Sequence, residues 1–144
     1  MSVGRICSRV VATATGSETI RKAADRMAEL DVGTLVVVGP DHPRRAVGVV
    51  TDRDLAVRCI TGRFSEETPV STVMSTPVHS VDEHTPLEEA VETMSRVGTR
   101  RLVVTGDDSR VVGLLSLDDV LEVIMEEATA IGRLLEQQKP KIPA

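Results

Sequence analysis

The fold of this chain is decided by a seven-residue stretch, Gly48-Val49-Val50-Thr51-Asp52-Arg53-Asp54. It recurs 65 residues later as Gly113-Leu114-Leu115-Ser116-Leu117-Asp118-Asp119. Each copy predicts a short apolar strand that ends at a hydroxyl residue, with an acid three positions further on. A helix should follow, so these side chains would lie beside backbone N–H groups at the positive end of its dipole. Such a junction favours an anionic ligand. The alternative is that each pair only caps its helix.

The segments before each copy repeat as well. Apolar residues at helical spacing predict one amphipathic helix per copy. They are Ile20, Ala23, Ala24, Met27 and Leu30 in the first copy and Leu87, Ala90, Val91, Met94 and Val97 in the second. Short apolar runs at 35–38 and 102–105 predict buried strands. The strands of the two motifs, 46–50 and 111–115, should pair with these runs as hairpins.

Local signals place the ends of the helices. Thr85 and Glu88 predict a capping box at the second amphipathic helix, and Ser17 or Thr19 should cap the first. The helix after Thr51 should begin near Asp52 and end around residues 61–62. The last helix should run from about residue 118 to 138, with an apolar stripe that continues beyond the repeat and must pack on something.

These elements together predict an α/β (α+β) fold with two β-α-β-β-α repeats. We assign residues 1–65 to the first repeat, 66–138 to the second, and 139–144 to a flexible tail. One unit of about 60 residues buries too little surface to be stable alone. We therefore expect the repeats to share a core about a pseudo-twofold axis.

Composition excludes several classes of protein. The net charge is −5 and Phe64 is the only aromatic residue, so a nucleic-acid-binding surface is not expected. Cys7 and Cys59 are too few for a disulfide framework, and no apolar run approaches the ~20 residues of a membrane span. We expect a soluble, cytoplasmic protein. The histidines lack metal-ligand spacing, and no nucleophile has an identifiable base, so neither a metal site nor an enzyme is predicted.

With both motifs in matching context, the chain resembles a tandem cystathionine β-synthase (CBS) domain pair. The resemblance covers roughly residues 3–62 and 70–136. It implies a regulatory module that binds adenosyl compounds such as AMP, ADP, ATP or S-adenosylmethionine. In such pairs the motif acid holds the ribose hydroxyls, which assigns that role to Asp54 and Asp119, with Thr51 and Ser116 near the phosphates. The extended segments that would meet the base are Val11-Ala12-Thr13 and Val78-His79-Ser80.

The two repeats differ just before their central strands. The second repeat has Arg100 and Arg101 where the first has Gly33 and Thr34. In relatives that bind phosphorylated adenosine, basic residues at this position meet the phosphates, and the planar guanidinium suits two oxygens at once. We therefore expect at least one cleft suited to a phosphate, with Arg53 and Arg58 as further candidates. The other cleft would be weak, empty or used by a neutral adenosyl group.

The leading hypothesis is a stand-alone regulatory module that binds an adenine nucleotide or S-adenosylmethionine as its regulatory ligand and signals to a separate partner protein. Its alternative is a ligand-free module for dimerisation or protein interaction, suggested by the long apolar stripe. A third possibility, an enzyme acting on a nucleotide, has no candidate nucleophile or base. Under either leading hypothesis we expect a homodimer.

Overall fold

The computed structural model describes residues 1–143, and each repeat contains a three-stranded sheet and two helices. The first repeat comprises β1 (Thr13–Thr15), α1 (Ile20–Leu30), β2 (Thr34–Val38), β3 (Ala46–Thr51), a π-helical turn (Asp54–Arg58) and α2 (Cys59–Gly62). The second comprises β4 (Ser80–Asp82), α3 (Leu87–Val97), β5 (Arg101–Thr105), β6 (Val111–Ser116) and α4 (Leu117–Gln137). This order confirms the predicted α/β fold with two β-α-β-β-α repeats.

Both sheets have the same topology. The first strand of each repeat pairs in parallel with the second, and the second pairs antiparallel with the third. Leu35 lies opposite Val50 in one hairpin, and Leu102 lies opposite Leu115 in the other. The predicted hairpins are therefore confirmed, and each motif lies at the end of an outer strand.

The helix ends agree with the sequence in all but one case. Thr19 caps α1, because its Oγ1 accepts the N–H of Lys22 at 3.2 Å. The predicted capping box at Thr85 is wrong: α3 has Pro86 at its N-cap position and no side-chain cap. The first free N–H of that helix, from Leu87, donates instead to the carbonyl of Met1 at 3.0 Å. The N-terminus of the chain therefore replaces the side-chain cap.

The N-terminal segment of each repeat packs into the core of the other repeat. Val3 is fully buried in the second core with Leu102 and Leu115. Val70, which follows the first repeat, is fully buried in the first core with Leu35. The repeats are consequently interlocked through their N-terminal segments.

A third cluster joins the two sheets. Val36 and Val38 of β2 pack against Val103 of β5, and all three are buried. Val49 and Leu114, which each follow the glycine of a motif, pack against this cluster from the two repeats. The outer strands that carry the motifs therefore meet at the interface between the repeats.

Two further predictions concern membrane spans and the C-terminal tail. Within residues 1–143, no helix is both long and apolar enough to cross a membrane. The predicted tail, 139–144, follows α4, and its last residue, Ala144, lies outside the described residues. The flexibility of that tail stays a prediction.

Candidate ligand-binding cleft

Each motif forms a reciprocal cap at the start of its helix. The N–H of Thr51 donates to Asp54 Oδ2 at 3.0 Å, and the N–H of Asp54 donates to Thr51 Oγ1 at 3.1 Å. Ser116 and Asp119 repeat this pair of bonds at 2.8 and 3.1 Å. The capping role is therefore present in both repeats. It uses Oδ2 of each carboxylate and leaves Oδ1 outside the cap.

The helix that follows the first motif differs from its counterpart. Residues Asp54–Arg58 form a π-helical turn, whereas the equivalent residues of the second repeat belong to the regular α-helix α4. Arg58 Nε lies 3.4 Å from Asp54 Oδ1, and Arg58 Nη1 donates to the carbonyl of Val73 at 3.1 Å. Arg58 thus connects the motif acid to the segment between the repeats. Single π-helical turns of this kind are frequent at functional sites.

A cleft of about 120 Å³ lies between the repeats, and we call it the central cleft. Thr51 and Asp54 enter it from the first repeat, while His79, Thr99 and Arg101 enter it from the second. The Asp54 side chain is only 15% exposed. A partly buried carboxylate and a guanidinium therefore share one cleft although they belong to different repeats.

This crossed arrangement follows from how the extended segments pair. Ser75, just before the second extended segment, pairs antiparallel with Val49 of β3. Ser8, at the equivalent place in the first repeat, pairs with Leu114 of β6. Each extended segment therefore lies against the motif strand of the other repeat.

A hollow of about 390 Å³ adjoins the central cleft, and we call it the apolar hollow after the wall that the two spaces share; Arg45, Ser80, Thr105 and Ser109 also line it. Its wall includes Ala46 and Val47 of β3, and it shares Pro77, Val78 and Val103 with the central cleft. Because the shared side chains are carbon-rich, this end of the site suits a flat, weakly polar group.

A basic hollow of about 270 Å³ adjoins the central cleft and shares no lining residue with the apolar hollow. It is lined by Arg53, Arg100, Arg101, Ser116, Leu117 and Asp118, and Arg101 also lines the central cleft. Arg100 Nη2 lies 3.9 Å from Asp118 Oδ1, with both side chains largely exposed. Three guanidinium groups and one carboxylate make this hollow positively charged.

Most of the site residues predicted from sequence lie along these three connected spaces. The central cleft contains Thr51, Asp54, His79 and Arg101. Ser80 lines the apolar hollow, while Arg100 and Ser116 line the basic hollow. Their roles toward a ligand stay predictions.

The remaining three predicted residues, Asp119, Ala12 and Thr13, lie outside these spaces. The carbonyl of Ala12 accepts the N–H of Val36 at 2.9 Å, and the carbonyl of Thr13 accepts Arg26 Nη1 at 2.7 Å. The backbone carbonyls of Ala12 and Thr13 therefore already accept hydrogen bonds within the first repeat. The place equivalent to Arg101 is held by Thr34, which is buried.

The two motifs differ in the charged side chains that lie beside them. Asp52 follows Thr51, and its carboxylate lies beside Gly33, where an added Cβ would come within 3.0 Å of Asp52 Oδ2. The equivalent residue of the second repeat is Leu117, whose N–H donates to the carbonyl of Arg100 at 2.8 Å. The start of β2 thus has a carboxylate beside Gly33, whereas the start of β5 has Arg100 and Arg101.

Two features of the site were missed by sequence reasoning. Thr99 Oγ1 donates to the carbonyl of Arg101 at 3.0 Å and accepts its N–H at 3.3 Å, which fixes the backbone of that arginine. The sequence pattern that could have predicted this contact is a hydroxyl residue two positions before the arginine. No sequence pattern predicts the crossed pairing, because either motif strand could accept either extended segment.

The two cysteines are protonated thiols at neutral pH. Burial raises the pKa of the Cys7 thiol; nearby Arg9 opposes this effect and Asp119 adds to it. Burial also raises the pKa of Cys59. Neither thiol has the lowered pKa of a reactive cysteine.

Comparison with known proteins agrees with this architecture. The CBS domain family matches residues 3–59 and again 70–126. An uncharacterized protein of Methanopyrus kandleri is 34% identical over 141 residues, which is 96% of this chain and 69% of that protein. CBS domain-containing protein YhcV of Bacillus subtilis is 36% identical over 110 residues, 76% of each chain. A CBS domain protein of Pyrobaculum aerophilum, solved in complex with AMP, has a TM-score of 0.78 and 29% identity, covering 90% of this chain and 99% of that one. The chain belongs to the CBS domain family and carries two copies of the domain.

Proposed function

We propose that this chain is a regulatory module that binds an adenosine nucleotide of the AMP class in the central cleft. The observation that carries this proposal is the presence of Asp54 and Arg101 in one cleft. An ionised carboxylate accepts hydrogen bonds from two ribose hydroxyls. A guanidinium binds phosphate oxygens through its planar fork.

The chemistry along the site follows the order of the parts of a nucleotide. Adenine would lie toward the apolar hollow beside Val78, the ribose at Asp54, and the phosphate at Arg101. Adenine is flat and binds well between apolar side chains, whereas phosphate needs positive charge. The order of the three spaces therefore favours a nucleotide over a free sugar or a free base.

The central cleft alone is smaller than a typical ligand pocket. Ligand pockets typically measure ~300–1,000 Å³, and the central cleft measures about 120 Å³. A bound nucleotide would therefore extend from the central cleft into both neighbouring hollows. The Pyrobaculum aerophilum relative, a protein of similar fold, was solved with AMP, which further supports this ligand class.

Regulation would arise because the ligand bridges the two repeats. Asp54 belongs to the first repeat and Arg101 to the second, so a bound nucleotide would connect them. A ligand shifts the equilibrium between two arrangements of the protein only if it binds them with different affinities. We infer that the nucleotide favours one arrangement of the repeats and that a separate partner protein senses it.

For the second motif we propose a weaker site or one for an adenosyl group without phosphate, such as S-adenosylmethionine. Ser116 and Asp119 repeat the cap of the first motif. Thr34 replaces the arginine, and the carboxylate of Asp52 lies beside Gly33. Negative charge here would disfavour a phosphate.

The alternative function is a dimerisation module that binds no ligand. Apolar side chains are exposed on α2 and α4, among them Ile60, Ile124, Ile131 and Leu135. A contiguous apolar surface marks a place where another protein binds, and a second copy of the chain is the simplest occupant. We propose a homodimer under either function.

Titration calorimetry with AMP, ATP and S-adenosylmethionine tests the proposal. Wild-type protein should bind AMP, and Asp54→Asn should weaken binding at least about tenfold, since the ribose loses a charged acceptor. Asp119→Asn, the matched change in the other motif, should leave the AMP affinity of the central cleft within about twofold. Absence of heat and of thermal stabilisation with all three ligands would contradict the proposal and leave the dimerisation module.

A further inference from the structure

Arg58 lies between the first motif acid and the segment that connects the two repeats. We call this segment the linker; it comprises residues 63–79, between α2 and β4. Its last residues, 77–79, line the central cleft. Just before them, Arg58 Nη1 donates to the carbonyl of Val73 at 3.1 Å and lies 3.4 Å from that of Met74. Arg58 therefore joins two parts of the chain that form different walls of the cleft.

We propose that Arg58 is a positioning residue, which holds the Asp54 carboxylate at a fixed place relative to the linker and transmits nucleotide binding to the linker. This inference rests on the proposed function, because it takes Asp54 as the residue that binds the ribose. Among the described residues that line the three spaces of the site, Arg58 is absent. It would therefore act on the ligand through Asp54.

The contact between Arg58 and Asp54 leaves an acceptor for the ribose. Asp54 Oδ2 accepts the N–H of Thr51 at 3.0 Å, whereas Oδ1 lies 3.4 Å from Arg58 Nε. The second distance is longer than the ~2.7–3.2 Å of a normal N–H···O hydrogen bond. Since a carboxylate oxygen has more than one lone pair, Oδ1 can accept a ribose hydroxyl while Arg58 stays in place.

The part of the linker that holds Arg58 is itself anchored to the first repeat. Val73 is fully buried in the first core. Ser75 and Val49 exchange two backbone hydrogen bonds, at 2.8 and 3.1 Å. The guanidinium presents its N–H donors in a rigid fork, so it can bond a fixed carbonyl and face the Asp54 carboxylate at the same time.

The second repeat has no such connection. The residue equivalent to Arg58 is Val123, which lies in the regular helix α4. Ser116 and Asp119 nevertheless form their reciprocal cap, and within residues 1–143 Asp119 has no ion-pair partner. The cap therefore forms without an arginine, and capping does not explain the contact between Arg58 and Asp54.

A double-mutant cycle with Asp54→Asn tests the positioning role, by titration calorimetry with AMP and adenosine. Arg58→Met removes the charge and the donors but keeps an unbranched side chain. It should weaken both ligands equally, by at least about tenfold, because both contain the ribose. In the Asp54→Asn background the loss should be at least about fivefold smaller, because the effect passes through Asp54. Losses of equal size in both backgrounds would show a merely structural role and overturn the inference.

Two further variants separate the fork from charge and from general contact with the linker. Arg58→Lys keeps the charge without the fork, so it should bind AMP at least about threefold more weakly than wild type. Arg21→Met is the matched control, because Arg21 Nη1 also bonds the linker, at Glu66 Oε2 (3.1 Å), but from α1. It should keep both affinities within about twofold. Thermal unfolding shows whether each variant is folded; if Arg58→Met is not, the same cycle with Arg58→Lys decides the question.

Hydrogen exchange measures the transmission to the linker. In wild type and in Arg21→Met, saturating AMP should slow exchange of the backbone N–H groups of residues 70–76 by at least about threefold. In Arg58→Met at saturating AMP, exchange of these groups should stay unchanged. AMP that slows their exchange equally in wild type and in Arg58→Met would refute the transmission.

The remaining outcomes are distinguishable from a failure of the proposed function. Wild-type affinity in both Arg58→Met and Arg58→Lys would refute the inference and leave the proposed function intact. Tighter binding of AMP by Arg58→Met would show that Arg58 competes with the ribose for Asp54 Oδ1, which also overturns the inference. No binding of AMP or adenosine by wild type would refute both the inference and the proposed function.

Discussion

Asp54 and Arg101 line one cleft although they belong to different repeats. Asp54 begins a π-helical turn at the end of β3, and Arg101 begins β5. They meet because the segment between the repeats pairs with β3 through Ser75 and Val49. A ligand that needs both a hydrogen-bond-accepting carboxylate and a cation would thus hold the repeats together.

Arg101→Gln should weaken AMP binding and leave adenosine binding nearly unchanged. A hydrogen bond to a charged group contributes about 1.5–3 kcal/mol, which corresponds to roughly a 10- to 150-fold loss in AMP affinity. Adenosine lacks the phosphate, so its affinity should stay within about twofold. Titration calorimetry with both ligands measures the two effects.

Thermal unfolding of the Arg101→Gln variant serves as the control for folding. The side chain is exposed, so the melting temperature without ligand should match that of wild type. An equal loss of AMP and adenosine affinity would show that Arg101 shapes the cleft and does not bind the phosphate.

Ser116→Ala should destabilise the protein even without ligand. The hydroxyl accepts the N–H of Asp119 at the start of α4, and removing such a cap costs about 1 kcal/mol. Urea unfolding followed by circular dichroism measures the free energy of unfolding. Ser95→Ala, an exposed position inside α3, should change that free energy by less than about 0.5 kcal/mol. Equal stability of Ser116→Ala and wild type would rule out the cap.

Gly113→Ala should destabilise the protein because no side chain fits there. An added Cβ would lie 2.6 Å from Cys7 Sγ and 2.9 Å from the carbonyl oxygen of Ser8. Overpacking of this kind costs about 1–3 kcal/mol. Gly132→Ala has no atom within 4 Å of the added Cβ and lies in α4, so it should stabilise the chain by up to about 1 kcal/mol. Differential scanning calorimetry should give opposite shifts in melting temperature; shifts of the same sign would contradict the packing of Cys7 against β6.

Ile131→Asp should disrupt the proposed homodimer. This side chain is 59% exposed on α4, so the substitution should not unfold a chain, but it would place a charge in an apolar contact between copies. Sedimentation equilibrium should show wild type as a dimer and the variant shifted toward monomer. Thr129→Asp, two residues away and on the opposite side of the helix, should stay dimeric. Identical association of both variants would exclude this face as the contact.

Much of the fold could be predicted because its signals are local and occur twice. The apolar spacing from Ile20 to Leu30 predicts α1, and two apolar runs around a turn predict the hairpin that pairs Leu35 with Val50. The capping prediction at Thr85 was wrong because a distant group, the carbonyl of Met1, satisfies the N–H of Leu87. Local sequence patterns give no information about contacts between residues so far apart in the chain.

The sequence predicts which residues line the site, but it does not predict which of them lie close together. Thr51 and Asp54 were identified from their spacing, and Arg101 from its position before a strand. The crossed pairing of Ser8 and Ser75 with the opposite motif strands decides which acid lies near which arginine. Since the repeats are similar, either pairing satisfies the same local patterns. The position of Arg53 beside Arg100 depends on that same choice.

The most direct measurement is a crystal structure of the protein grown with AMP. We predict electron density in the central cleft, with the ribose hydroxyls within hydrogen-bond distance of Asp54 Oδ1 and the phosphate beside the Arg101 guanidinium. AMP bound at Asp119 with an empty central cleft, or no bound AMP at saturating concentration, would contradict it.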